Sequence, residues 1–366
     1  MKNVLLFILF ILFISCSNNS RIVDQDATRE TKILFENMTK SAETRILFGH
    51  QDDLAYGIGW RNLQGESDVK RVTGFYPSVI GHDIGHIERD VNIDSVPFEQ
   101  IRQYILETYL RGGVNTISWH EPDPVYGGGT WVKQDEDKKI VTNILPGAKH
   151  HEAFLKRLDL VADFFLSLKT PDGTAIPVIF RPFHEMNGDW FWWGNTHCSA
   201  DEYQSLFCFT VDYLRMNRKV HNLIIAYSPN SVTTKEEFMR YFPGTDYCDI
   251  IGFDSYQYPS ERGNEEYIEN MKRNLDILME VVAETGKVPA ITETGYECIP
   301  EKNWWTAVLY PVIKDYPLAY VMVWRNGRPD HYYAPHPENV SAPDFVIFST
   351  APRIKLQTPD LNLYDN

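Results

Sequence analysis

The stretch from Arg181 to Gly194 contains the residues that are best suited to catalysis or ligand binding. It reads R-P-F-H-E-M-N-G-D-W-F-W-W-G and follows the short apolar run Ile176–Phe180. One carboxylate, Glu185, lies between a histidine and an asparagine, and three tryptophans follow it closely. Ligand sites commonly combine aromatic surface with a few polar groups, and a sugar ring offers both C–H faces and hydroxyls. The stretch therefore indicates a carbohydrate site, while the alternative interpretation is a buried aromatic cluster beside a strand end.

Eight short apolar segments predict the strands that would position these residues. They cover residues 45–50, 78–84, 114–120, 175–181, 222–228, 248–256, 288–294 and 318–325. Helical periodicity occurs between them, at 98–110, 150–168, 203–218, 265–284 and 303–314. This alternation predicts an α/β fold, a single-domain (β/α)8 TIM barrel. An open doubly wound sheet is the alternative, but no glycine-rich phosphate loop follows the first strand.

In such a barrel the carboxyl-terminal strand ends converge, so side chains distant in sequence meet there. The candidates are Arg181, His184 and Glu185 on the fourth strand, Glu293 on the seventh, Asp254 and Tyr256 on the sixth, His120 on the third, and Trp324 and Arg325 on the eighth. Two carboxylates across a barrel mouth can hydrolyse a glycosidic bond, because one protonates the leaving oxygen while the other attacks or activates water. Glu121 and Glu297 are competing carboxylates, and the residues alone do not choose among the four.

Composition argues against several other functions. The net charge of −15 is unsuited to a phosphate backbone, so no nucleic-acid partner is expected. No G-x-S-x-G elbow is present, which argues against a serine hydrolase. The histidines of Gly81–His86 could suggest a metal site, but they lack a third ligand of matching spacing. We therefore expect neither a metal nor another cofactor. Four cysteines, at 198, 208, 248 and 298, lack zinc spacing and are expected to be mostly free and buried.

The amino terminus predicts export. Met1-Lys2 precedes an apolar run from Val4 to Ile14, which is too short to span a bilayer and is typical of a secretory signal. The following Ser15-Cys16 resembles a bacterial lipobox, so Cys16 is the expected lipidation site, with a plain signal peptide as the alternative. We expect residues 1–16 to be the signal, 17–40 a polar tether and lead-in segment, and 41–366 the barrel. We expect the processed protein to be a monomer whose lipid anchor attaches it to the outer membrane, facing the periplasm or the cell surface.

The quoted residues resemble glycoside hydrolase family 26, a clan A barrel family made up mainly of β-mannanases. The resemblance extends from G-H-Q at 49–51 to W-R-N at 324–326, and its strongest part is R-P-F-H-E-M-N-G-D-W-F-W-W. Many clan A families have asparagine before the acid/base glutamate, whereas this chain has His184, as family 26 does. The resemblance implies that Glu185 is the acid/base and Glu293 the nucleophile.

It further implies that Tyr256 bonds the nucleophile and that His120, His184, Trp190, Trp324 and Arg325 bind sugars, with Asp254 added as a strand-end candidate. We also expect Arg325 to help keep Glu293 charged. The implied activity is endo-acting, retaining hydrolysis of β-1,4-mannan, galactomannan or manno-oligosaccharides. Another β-glycan, or glycan binding without catalysis, is the alternative. The long segment Asn326–Ala351 is expected to wall the cleft and favour short products such as mannobiose.

Overall fold

Eight parallel strands close into a barrel in the computed structural model, which describes residues 22–132 and 138–365. The strands are β1 Ile46–Gln51, β2 Val79–Asp83, β3 Val114–Trp119, β4 Val178–Pro182, β5 Leu223–Tyr227, β6 Ile250–Gln257, β7 Val288–Tyr296 and β8 Tyr320–Val323. Each strand pairs with the next, and β8 also pairs with β1, so the sheet is closed. All eight predicted strands exist and the predicted TIM barrel is confirmed.

Ten α-helices are found in the described ranges. They are α1 Arg29–Ala42, α2 Asp68–Thr73, α3 Phe98–Leu110, α4 Ile140–Ile144, α5 His151–Ser167, α6 Ala200–Asp212, α7 Lys235–Met239, α8 Asn264–Thr285, α9 Tyr310–Ile313 and α10 Ala342–Ser349. Short π-helical segments extend α6 and precede α9. Helix α6 begins three residues before the predicted 203, because Ser199 and Glu202 form a reciprocal capping box.

The barrel interior is apolar toward its amino-terminal end, and helix α1 closes that end. Leu34, Phe35 and Met38 of α1 are buried in the same cluster as interior side chains such as Val114 and Ile224. A second, larger cluster lies between the barrel and the surrounding helices. Because the amino-terminal end is filled, a ligand has access from the carboxyl-terminal end, where the candidate residues lie.

The described part of the predicted tether lies against the barrel. The Val23 amide donates to Asp249 Oδ1 at 2.7 Å, and His221 Nδ1 lies 2.8 Å from Asp24 Oδ2. The interval 17–40, predicted as a tether and lead-in segment, also includes most of helix α1, which begins at Arg29. The predicted signal and Cys16 lie outside the described residues. Within those that are described, no helix has both the length and the apolar character needed to cross a membrane.

The four cysteines after Cys16 form no disulfide, as predicted. Cys198 and Cys248 are buried, whereas Cys208 and Cys298 are half-buried. Burial raises the pKa of Cys208 to about 11 and that of Cys198 to about 12, so both stay as unreactive thiols near neutral pH.

Candidate active site

A cleft of about 320 Å³ opens at the carboxyl-terminal end of the barrel. Its lining includes seven of the expected site residues, which are His120, His184, Glu185, Trp190, Tyr256, Glu293 and Trp324. Two long segments between barrel elements contribute to it: Trp131 comes from the segment after β3, and His331 and Tyr333 come from the segment after β8. The expected residues Asp254 and Arg325 do not belong to the lining.

Glu185 reaches the cleft through an unusual turn after β4. Phe183 and Glu185 both have positive φ, 50° and 55°, a conformation that is costly for residues with a side chain. The turn is held because the Glu185 amide donates to the Ser228 carbonyl at 2.9 Å, and the Glu185 carbonyl accepts from Gly188 at 2.9 Å. The strain is thus offset by backbone hydrogen bonds that fix where the Glu185 carboxyl projects.

The surroundings of Glu185 favour its protonated form. Burial raises the pKa of Glu185 to about 7, and the nearby charge of Glu293 acts in the same direction. Arg181 and a hydrogen bond from Trp190 Nε1, 3.0 Å from Glu185 Oε2, oppose the shift without cancelling it. Glu185 can therefore serve as an acid near neutral pH.

Glu293 is held by a donor on each oxygen. The Arg181 guanidinium pairs with Oε1, and the Tyr256 hydroxyl donates to Oε2 at 2.6 Å. Burial, together with Glu293, raises the pKa of Tyr256, so this phenol remains a donor. The pairing of β6 with β7 also shifts by one residue between Phe253 and Asp254, which brings Glu293 opposite Asp254. Such an irregularity re-aims a side chain at the end of a strand.

Asp254 lies beneath the cleft, where it supports Arg181 rather than lining the cavity. It is fully buried, and its Oδ2 is 2.9 Å from Arg181 Nη1. Thr292 Oγ1 donates to the other oxygen at 2.6 Å. Ligand atoms of His184, Asp254 and Glu293 lie within 4.8 Å of one another, a spacing that a cation could use. Arg181 bonds to both of these carboxylates and supplies the positive charge there.

Two histidines form one wall of the cleft, with ring centroids 4.6 Å apart and edge-to-face. Burial lowers the pKa of His120, but Asp83, 2.6 Å from His120 Nδ1, outweighs this and raises it. Burial, with Arg181 and His120, lowers the pKa of His184 well below its usual range. The pair therefore combines one ring whose surroundings favour the protonated form with one whose surroundings favour the neutral form. The buried Nδ1 of His184 has no hydrogen-bond partner in the structure.

Arg325 is held away from Glu293, contrary to our expectation that it keeps this carboxylate charged. Its Nη1 lies 2.7 Å from Asp94 Oδ1 and 3.5 Å from the Tyr56 hydroxyl. Arg181, a charged residue within a buried strand, occupies the position beside Glu293. The sequence indicated only that Arg181 needs a buried partner, because a charge in an otherwise apolar strand is costly unless it is paired, and it did not indicate which carboxylate that partner is.

The tryptophans divide between the cleft and the core. Trp190 and Trp324 are half-buried and line the cleft, whereas Trp192 and Trp193 are fully buried. The aromatic cluster that the motif suggested is thus partly a core feature. Trp131, which sequence reasoning missed, is 56% exposed and stacks on His120 with centroids 5.5 Å apart. It lies in a long loop without a motif, so its sequence neighbours gave no signal.

Neither competing carboxylate lines the cleft. Glu121 is fully buried, accepts from Trp119 Nε1 at 2.9 Å, and lies 3.3 Å from Arg157. Burial raises its pKa to about 8. Glu297 lies at the rim and pairs with His331 Nδ1 at 2.6 Å. Glu121 thus supports the strand end from behind, and Glu297 fixes the segment after β8.

Known proteins resemble this chain along most of its length. The sequence profile of glycosyl hydrolase family 26 matches residues 23–309. A mannan endo-1,4-beta-mannosidase of Bifidobacterium adolescentis is 35% identical over 293 residues, which are 77% of this chain and 28% of that longer protein. The structure of a GH26 beta-mannanase from Bacteroides ovatus, BoMan26A, is 46% identical, with a TM-score of 0.89 over 93% of this chain and 98% of that one. A modular endo-beta-1,4-mannanase from Cellulomonas fimi is 32% identical, with a TM-score of 0.84 over 94% of this chain and 79% of that one.

Proposed function

The chain belongs to glycosyl hydrolase family 26, and from this we propose that it is an endo-acting, retaining β-1,4-mannanase. Mannan, galactomannan and manno-oligosaccharides are its proposed substrates. The names of the similar proteins support the substrate class. The observation that carries the proposal is the unequal pair of carboxyl groups in one cleft. Burial raises the pKa of Glu185 to about 7, while Glu293 accepts from Arg181 and Tyr256.

In the proposed mechanism, Glu293 is the nucleophile and Glu185 the acid/base. Glu293 attacks the anomeric carbon while Glu185 gives its proton to the departing glycosidic oxygen, and a covalent glycosyl-enzyme forms. Water then enters, and the Glu185 carboxylate takes a proton from it as the water oxygen bonds to the anomeric carbon. Glu293 leaves with its charge restored. The product keeps the β configuration because the carbon is inverted twice.

The neighbouring residues bind and orient the sugars in this proposal. Trp190 and Trp324 supply aromatic faces, and His120 and His184 face the sugar beside the cleaved bond. Arg325, which is half-buried and lies outside the cleft lining, is also proposed to bind a sugar. Asp254 positions Arg181 instead of touching sugar. The loop from Asn326 to Ala351 walls one side, which supports short products such as mannobiose.

The decisive experiment is hydrolysis of defined polysaccharides by the purified protein. Mannan, galactomannan, mixed-linkage glucan and β-1,3-xylan would be compared, and the first anomer formed would be followed by NMR. We expect hydrolysis of mannan, β-anomer first, with mannobiose prominent among early products. Preferential hydrolysis of the glucan or xylan would reassign the substrate. Binding without hydrolysis would identify a glycan-binding protein, and an α-anomer would refute the retaining mechanism.

Trp190 offers a test of the sugar platform with a matched control. Trp190→Ala should raise KM for manno-oligosaccharides while lowering the melting temperature little, because the ring is half-buried at the cleft. Trp192→Ala should instead reduce the free energy of unfolding by about 3–5 kcal/mol, the range for truncating a core aromatic residue. Kinetics and thermal unfolding of both variants measure the difference. Similar stability losses in the two would assign Trp190 to the core.

Export and lipidation are part of the proposal, and their support is the sequence of residues 1–16. We propose that Cys16 carries the lipid and attaches a monomeric barrel to the outer membrane. Full-length protein expressed in a Gram-negative host should partition into the detergent phase, and Cys16→Ala should move it to the aqueous phase. Partition of the unaltered protein into the aqueous phase would refute the anchor.

A further inference from the structure

The segment after β8 brings a tyrosine against the residue that holds Glu293. Tyr333 is half-buried, and its ring packs edge-on against Tyr256 with centroids 5.5 Å apart and planes at 70°. The Tyr256 hydroxyl donates to Glu293 Oε2 at 2.6 Å. Tyr256 is itself half-buried at the cleft, so its ring needs support from the side to keep one orientation. Edge-to-face aromatic pairs supply a directional contact of this kind.

A backbone feature of β7 admits the Tyr333 ring. Gly295 pairs with Tyr256 across the β6–β7 ladder and has φ +150°. A Cβ placed on Gly295 would lie 2.5 Å from Tyr333 Cδ1, so a side chain there would displace the ring. Gly295 thus provides the close approach that lets Tyr333 lie over Tyr256.

A buried asparagine fixes the backbone of Tyr333. Asn326 is fully buried, and its Oδ1 accepts from the amides of Tyr333 at 3.0 Å and Ala334 at 2.9 Å. Its Nδ2 donates to Asp68 Oδ2 at 2.8 Å and to the Ala334 carbonyl at 3.0 Å. At the rim, the hydrogen bond between His331 Nδ1 and Glu297 Oε1 fixes the same segment a second time. Tyr333 is therefore held by its backbone and is free to support another ring.

We propose that Tyr333 is a positioning residue that keeps the Tyr256 ring in the orientation that donates to Glu293. It acts on the reaction through Tyr256. This inference rests on the proposed role of Glu293 as the nucleophile. It assigns a function in the chemical step to a residue of the loop after β8, in addition to that loop's place in the cleft wall.

A double-mutant cycle tests the inference, with kcat and KM measured on a soluble manno-oligosaccharide. Tyr333→Ala should lower kcat about three- to tenfold, the range that corresponds to one aromatic contact, with KM within about twofold. Tyr333→Phe should restore kcat, because the ring and not its hydroxyl makes the contact. Tyr256→Phe should lower kcat, and adding Tyr333→Ala to it should cause no further loss, since both changes remove the same hydrogen bond.

A comparison variant separates positioning from sugar binding. Tyr258 also lines the cleft, but its side chain is 72% exposed, so Tyr258→Ala should change KM rather than kcat. If Tyr333→Ala behaves as Tyr258→Ala does, or if the Tyr256 and Tyr333 effects multiply, the inference is overturned. Activity of the unaltered protein on mannan, abolished in Glu293→Ala, would keep the proposed function intact in either case. An unaltered protein that hydrolyses no β-glycan would overturn both.

Discussion

Replacing Glu185 with alanine should lower kcat/KM on mannan by about 100- to 10,000-fold, the usual contribution of a general acid. The reason is the environment of this carboxyl group, since burial and the charge of Glu293 raise its pKa to about 7. Below that pH the group is protonated and can donate to the leaving oxygen. Above it the proton is lost, so activity of the unaltered protein should decline as pH rises through about 7. Initial rates across pH 5 to about 9 would measure both effects.

The same variant contains its own control. An aryl β-mannoside with a good leaving group needs little protonation, so its glycosylation step should be nearly preserved in Glu185→Ala. In Glu185→Ala, the basic limb of the pH–rate profile should disappear when the aryl β-mannoside is the substrate. Equal losses on the aryl substrate and on mannan, or a basic limb that persists unchanged, would show that another group is the acid.

Replacing Arg181 with methionine should reduce the free energy of unfolding by about 3–5 kcal/mol, the range for removing one partner of a buried ion pair. Arg181 is 1% exposed and bonds to Asp254, Glu293 and Ser228, so the change leaves two buried carboxylates without their cation. The loss should shrink as pH falls, because those carboxylates can then take up protons in the folded state. Chemical denaturation at about pH 5 and about pH 8, one value on each side of neutrality, would measure this loss in the free energy of unfolding.

Two further variants serve as controls for the stability loss expected of Arg181→Met. Arg218 also pairs with two carboxylates, Asp159 and Asp163, but near the surface, so Arg218→Met should cost less than about 1 kcal/mol. Adding Asp254→Asn to Arg181→Met should recover part of the lost stability, because one uncompensated charge is removed. Equal losses for Arg181→Met and Arg218→Met would contradict the buried-network interpretation.

The sequence by itself determined the barrel and the place of the site, because both follow from properties of short segments of the chain. Parallel strands covered on both faces need continuous apolar runs, and all eight runs were visible. Local chemistry also sets helix ends, as at the Ser199 capping box that begins α6 and at Gly286, whose left-handed conformation ends α8. Glu185 follows β4 and Glu293 lies in the carboxyl-terminal half of β7, and the barrel brings such strand ends together regardless of their distance along the chain.

Tertiary structure decided how the charges and rings around that site are shared. The sequence alone could not say that Arg181, and not Arg325, lies beside Glu293, because this depends on the register shift between β6 and β7 and on the partner Asp94. Nor could it separate Trp190, which lines the cleft, from the buried Trp192 and Trp193, since all three follow Glu185 closely and are the same residue type. Tyr333 and Trp131 lie on long loops whose course depends on distant contacts, so their place in the cleft became visible only once the chain was folded.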